Sequence, residues 1–182
     1  MKSKLASGNY GEFFINQELP ENLFRFVQDN FYMQSIALQL ESLTDQYVNA
    51  LRNLPESEMS YKPSPSKWSK KEIVGHLIDS AQNNIRRFLV AQYEENPLIR
   101  YNQDKWVAFC DYQHYDVKEL IDLWYLLNKH ISIILKNMTE EVAQRKCQTE
   151  SLRTLEWLAE DYIKHFKHHV HQVLELEPVP YP

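Results

Sequence analysis

Glycine is nearly missing from this chain, with three in 182 residues, at positions 8, 11 and 75. Sheet-rich proteins need more of it, because tight turns between strands call on residues that tolerate positive φ, so the scarcity favours a mostly helical architecture. Cysteine is almost as rare. Cys110 and Cys147 stand far apart at no metal-binding or redox spacing, which excludes a disulfide-framework scaffold. They read as reduced thiols of a cytoplasmic protein, with a single structural disulfide as the alternative. The longest aliphatic cluster, around Ile131 to Leu135, is far too short to cross a bilayer. The opening Met-Lys-Ser-Lys-Leu-Ala-Ser-Gly-Asn-Tyr has no apolar stretch resembling a secretory signal. No Lys/Arg-rich run or basic face occurs, and the formal charge of −5 argues against nucleic acid as the main partner. A glycine-rich phosphate loop, internal repeats and low-complexity tracts are also lacking.

Apolar residues make up 43% of the chain and aromatics 13%, which rules against disorder and supports one domain, residues 1–182, with a substantial core. From about Phe31 to Leu54 the apolar side chains Ile36, Leu40, Leu43, Tyr47, Leu51 and Leu54 recur at spacings of three and four, the signature of an amphipathic helix closed by Pro55. After a proline-serine linker, Ser69 and Glu72 form a capping box for a second helix from Lys70 to about Gln92, with Ile73, Leu77, Ala81 and Phe88 facing inward. A third helix is predicted from Asp116, with Glu119 as box partner and Leu120, Trp124, Leu127, Ile131 and Leu135 along its stripe. A fourth should begin near Thr149 or Ser151 and reach about Leu176, presenting Leu155, Leu158, Tyr162, His165, His169, Val173 and Leu176 inward.

Between the second and third helices, residues 93–115 have no clean period but many aromatics, and Gln103 to Cys110 suits a short helix. The first 30 residues, with Phe13, Phe14, Leu23, Phe24 and Phe26, read as an extension packed on a bundle that spans 31–176. The expected fold is therefore all-α, a four-helix bundle with an N-terminal extension and a long aromatic-rich connection.

Ligand sites in such bundles are built where polar residues invade apolar stripes. Four histidines crowd into one stretch: His165, His168, His169 and His171. At about 100° per residue, His165 and His169 fall in the inward arc with Gln172, His168 lies at its flank, and His171 should be solvated. Burying two imidazoles without partners is costly, and either a divalent metal or hydrogen bonds to neighbouring groups would offset it. His76, inside the second helix with Asp79 and Asn83 on the same edge, would make a third ligand, and three neutral imidazoles leave one coordination position open. Asp79 is either a carboxylate that orients a ligand or accepts a proton, or a solvated group on the helix flank. Two familiar motifs fail. The zinc-protease pair needs Glu after its first histidine, where this chain has Phe166, and the di-iron bundle needs Glu three residues before its histidines.

Taken together, Trp68-Ser69-x-x-Glu72-x-x-x-His76-Leu77-x-Asp79 and His165-x-x-His168-His169-x-x-Gln172 resemble the two signature stretches of the DinB-like (YfiT-related) family. That resemblance implies a four-helix bundle holding a divalent ion, commonly zinc or nickel, on His76, His165 and His169, while His168 fills a position that need not be histidine. Members are mostly described as metal-dependent hydrolases, and some resemble transferases acting with a low-molecular-weight thiol. The expectation is thus a hydrolase of a small-molecule substrate with Asp79 as candidate catalytic group. Its rivals are a thiol S-transferase and a metal-binding bundle without turnover. Tyr101 and Trp106 are candidate pocket walls or extra core packing. Surface aromatics such as Tyr112 and Tyr115 suggest a homodimer.

Overall fold

The computed structural model describes residues 21–181, with side chains from Tyr32 onward. Four long helices carry the architecture: α1 (Glu21–Arg52), α3 (Lys70–Val90), α5 (Val117–Lys136) and α7 (Leu155–Leu174). Short helices α2 (Glu56–Met59), α4 (Gln103–Cys110) and α6 (Glu140–Ala143), a 3-10 turn at Tyr112–His114 and a two-stranded hairpin lie in the connections. Around the bundle the order is α1, α5, α3, α7, so α1 packs on α5 and α7 but stands diagonally from α3. Helices consecutive in sequence are therefore not all neighbours in space.

Each stripe buries its apolar side against the others. Leu40, Leu51, Leu77, Ile78, Phe88, Leu120, Ile131 and Phe166 are fully enclosed, and the Trp124 ring stacks on Phe166 with centroids 5.4 Å apart. Rim charges join α1 to α5 across this seam, with Lys129 reaching Glu41 (2.6 Å) and Arg52 reaching Asp122 (2.6 Å). Such exposed pairs contribute little beside the burial beneath them.

The second, third and short aromatic-linker helices lie close to where the sequence places them. The first starts ten residues earlier than predicted, at Glu21 instead of Phe31. The proposed packing of the N-terminal extension falls outside the described side chains. At the other end the prediction needs correction. Residues 149–154, expected to open the fourth helix, belong instead to an antiparallel hairpin of β1 (Lys146–Gln148) with β2 (Leu152–Thr154), and α7 begins only at Leu155. Strands of three residues are too short to show alternation, whereas the Thr154 hydroxyl caps α7 by accepting from the Trp157 amide (3.1 Å). The predicted inward Leu176 is also corrected. Helix α7 stops at Leu174, Glu175 takes a left-handed φ of 55°, and Leu176 is exposed. No helix among the described residues is long and apolar enough to cross a membrane, and both cysteines are free thiols.

Candidate metal centre

The capping box anchors the start of α3 and so sets where its side chains point. Ser69 Oγ accepts from the Glu72 amide (3.2 Å) and Glu72 Oε2 accepts from the Ser69 amide (2.7 Å). Seven residues beyond the cap, His76 projects from α3 into the groove against α7, where His165 and His169 come up to meet it. Nε2 of His76 and Nε2 of His165 face each other at 2.9 Å, and one ring nitrogen from each of the three histidines lies within 4.8 Å of the others. The ring centroids are 4.6–4.9 Å apart in pairs, and the Trp68 indole closes one side, 5.2 Å from the His76 ring.

Neighbouring groups orient two of the rings. Nδ1 of His169 lies 3.1 Å from Gln172 Oε1, an acceptor, so this nitrogen carries the proton and leaves the Nε2 lone pair free. Nδ1 of His165 sits 3.4 Å from the Ser80 hydroxyl. Nδ1 of His76 is buried and has no partner. Desolvation keeps the cluster uncharged: it pushes His76 down to about 3 and lowers His165 and His169, with repulsion inside the group adding to the effect at His76 and His165. Neutral imidazole is the form that ligates a cation.

The remaining histidines of the cluster serve elsewhere. His168 Nδ1 meets the Val179 carbonyl (2.7 Å), and His171, predicted to be solvated, is instead half-buried between the Tyr47 hydroxyl (3.0 Å) and the Glu177 carbonyl (2.8 Å). Both therefore tie the segment after α7 back onto the helix. His165 and His169 lie at the edge of the buried stripe, which runs instead through Leu158, Tyr162, Phe166, Val170 and Val173. That edge faces a cavity of about 720 Å³, which the three histidines share with Trp68, Tyr101 and Tyr181.

Asp79 is no solvated flank residue. It is fully buried, Oδ1 accepts from the Tyr112 hydroxyl (2.5 Å), and Oδ2 has no partner. Burial raises its carboxyl to about 6, against the opposing pull of the Tyr112 hydrogen bond. None of its hydrogen bonds reaches the histidines. Tyr112, expected on the surface, is buried as well. Its ring lies over Gly75, where an added Cβ would come within 2.0 Å of it. The glycine is thus required by the close approach of that ring to α3. Tyr101 does line the cavity, whereas Trp106 packs behind it, with ring centroids 5.2 Å apart.

Sequence reasoning passed over Ser80, Arg87 and Tyr181. Ser80 and Arg87 follow His76 by four and eleven residues, helical intervals that return to the same face, so their spacing would have flagged them. Tyr181 had no such signal, since only the return of the C-terminal segment brings its ring to 5.3 Å from His165.

A bundle of four long helices with three uncharged imidazoles converging beside an open cavity defines a helical protein built around a candidate metal centre. The chain belongs to the DinB superfamily, whose sequence profile matches residues 39–173. It is 26% identical over 141 residues to the "Putative metal-dependent hydrolase YfiT" of Bacillus subtilis, covering 75% of this chain and 79% of that one. It is also 26% identical over 121 residues to a protein of the same description, BH0277 of Halalkalibacterium halodurans, covering 65% and 70%. The solved structure of YfiT, described as having an unusual four-helix bundle topology, superposes with a TM-score of 0.63 over 91% of this chain and 92% of the other. At 22% identity that likeness establishes the common fold.

Proposed function

We propose that this chain is a metal-dependent hydrolase that holds a divalent ion, zinc or nickel, on His76, His165 and His169. The observation that carries the reading is the convergence of three neutral imidazoles with no carboxylate bonded to any of them among the described residues. Nε2 of His76 and Nε2 of His165 face each other at 2.9 Å, an approach of two ring nitrogens that a shared cation would stabilise by taking both lone pairs. A nitrogen-only donor set suits zinc or nickel better than magnesium or calcium, which prefer oxygen.

In this reading His76, His165 and His169 would hold the ion through one nitrogen each, a set of three ligands that leaves room for a substrate or water. Gln172 holds His169 in the tautomer that presents Nε2, and Ser80 steadies His165 from behind. Trp68, Tyr101 and Tyr181 wall the cavity and limit the water around the reacting group. When bound, the ion supplies Lewis acidity, which lowers the pKa of a water to near neutrality and polarises a carbonyl. Asp79 is engaged with Tyr112 and makes no hydrogen bond to the cluster, so in this reading it links α3 to the Tyr112 turn and is not the group that takes the proton. That lack of a bonded base favours a second reading, in which a low-molecular-weight thiol is the nucleophile, because a thiol releases its proton far more readily than water.

Elemental analysis of untagged protein tests the proposal. Wild type should carry about one ion per chain, and His165→Ala should carry none while its helical circular dichroism is unchanged. Stoichiometric metal in the folded variant overturns the assignment. Turnover of an ester and amide panel by the loaded protein supports hydrolysis, and activity that depends on added thiol moves the assignment to the transferase.

A further inference from the structure

Arg87 stands on the wall of the histidine cavity, on the same face of α3 as His76 and Ser80. Its side chain is half-buried, and it pairs with no carboxylate among the described residues. Nε and Nη2 donate to the Ile99 carbonyl at 3.4 and 3.3 Å, and Nη1 to Asn84 Oδ1 at 3.4 Å. All three contacts are long and both acceptors are neutral, so the charge is held in place without an ion pair. Burial correspondingly pushes the guanidinium below its ordinary value. Asp161, on the same cavity wall, acts on Arg87 only through space, since it forms no ion pair with it and its carboxylate accepts from the Tyr181 hydroxyl (3.0 Å).

The other cavity arginine behaves differently. Arg100 is half-exposed, donates to the Thr149 carbonyl at 2.7 Å and has Glu150 as a counter-ion at 3.9 Å. Burying a cation without a bonded counter-ion is costly, and a ligand carboxylate would supply the missing pair. The planar fork of arginine matches a carboxylate, and the three contacts leave N–H groups unused on a side chain that lines the cavity. The cavity also presents Asp104, Glu150 and Asp161, which disfavours a polyanion and favours a ligand group of single charge. Its volume of about 720 Å³ and the aromatic faces of Trp68, Tyr101 and Trp157 suit a small, partly aromatic molecule.

We infer that Arg87 anchors a carboxylate of the substrate, so that the molecules this cavity takes are small organic acids whose reacting bond is presented to the three histidines. The inference rests on the reading of this cavity as the substrate site. It names the substrate class and a residue that selects it.

Isothermal titration of the full-length, chelator-stripped protein tests it with N-benzoylglycine and its uncharged counterpart N-benzoylglycinamide. Without metal no acid can be held by an ion, so a preference must come from the protein's own charges. Wild type should bind the acid about tenfold or more tightly than the amide, the effect of one charge-assisted pair. Arg87→Gln should bind both alike, Arg87→Lys should keep part of the preference, and Arg100→Gln should keep it whole. His165→Ala should also retain the preference, which separates this result from the metal assignment: loss of metal with retained acid selectivity leaves Arg87 as anchor. Should Arg87→Gln fail to fold, the comparison in wild type together with Arg87→Lys and Arg100→Gln still decides. Equal binding of acid and amide by wild type, binding of neither, or a preference that follows Arg100 overturns the proposal.

Discussion

Adding metal to the histidine cluster should raise the stability of the folded chain by an amount set by linkage. The three donor nitrogens already lie within 4.8 Å of one another, and Gln172 holds His169 in the right tautomer, so little reorganisation opposes binding. A ligand that binds only the native state stabilises it by about 2.7 kcal/mol at a hundredfold excess over Kd. For a domain of this size each kcal/mol moves the melting temperature by roughly 2–4 °C, so a rise of about 5–10 °C is expected with zinc or nickel. The assay is thermal unfolding followed by circular dichroism at 222 nm (a standard helix band), with chelator-stripped protein before and after metal addition. His169→Ala is the informative variant, because His169 sits at the edge of the buried stripe and its loss leaves the core intact. Its melting temperature without metal should stay close to wild type, and metal should move it hardly at all. A variant that gains as many degrees as wild type refutes the three-histidine site. So does a wild type indifferent to both ions.

Gln172→Ala should leave the fold intact and weaken metal affinity by about 10–100-fold, the usual effect of removing a group that orients a ligand, as measured by competition with a chromophoric chelator. Gly75→Ala should destabilise by about 1–3 kcal/mol or more, because its Cβ meets the Tyr112 ring at 2.0 Å, and denaturant titration reads the loss. Asp79 provides a pH test. Its folded value of about 6 lies above the ordinary 3.8, so the folded chain binds this proton more tightly than the unfolded one. Its penalty on stability is full above pH 6 and fades as the pH falls from about 6 towards 4. The histidines work in the opposite sense, since their lowered values cost stability in acid, so the difference between wild type and Asp79→Asn isolates the carboxylate. The variant should gain on wild type more at pH 7.5 than at pH 5 in urea midpoints, and an equal gain at both contradicts the reasoning. Ser69→Ala should cost about 1 kcal/mol through loss of the α3 cap, again by denaturant titration.

The parts of this protein that were legible in its sequence are those governed by local rules. Helix α3 begins where Ser69 and Glu72 say it does, because a capping box satisfies amides within one turn and needs no distant partner. Helix α4 falls on Gln103–Cys110 for a similar reason, with Asn102 accepting from the Lys105 amide (3.0 Å). The start of α7 was misplaced because its boundary depends on residues 146–148 finding residues 152–154, and three-residue strands leave no periodic trace. The surroundings of Asp79 were also out of reach, since nothing near position 79 announces that a tyrosine 33 residues away will bury it.

From sequence alone, then, came the helical class and the choice of His76, His165 and His169 as candidate ligands, because periodicity and short motifs act over one or two turns of chain. The tertiary structure alone decided that α3 and α7 are neighbours, that Nε2 of His76 meets Nε2 of His165 at 2.9 Å, and that Arg87 and Tyr181 share their cavity. Those facts depend on how stripes on separate helices bury one another, and a stripe specifies that a face must be covered without specifying by which partner.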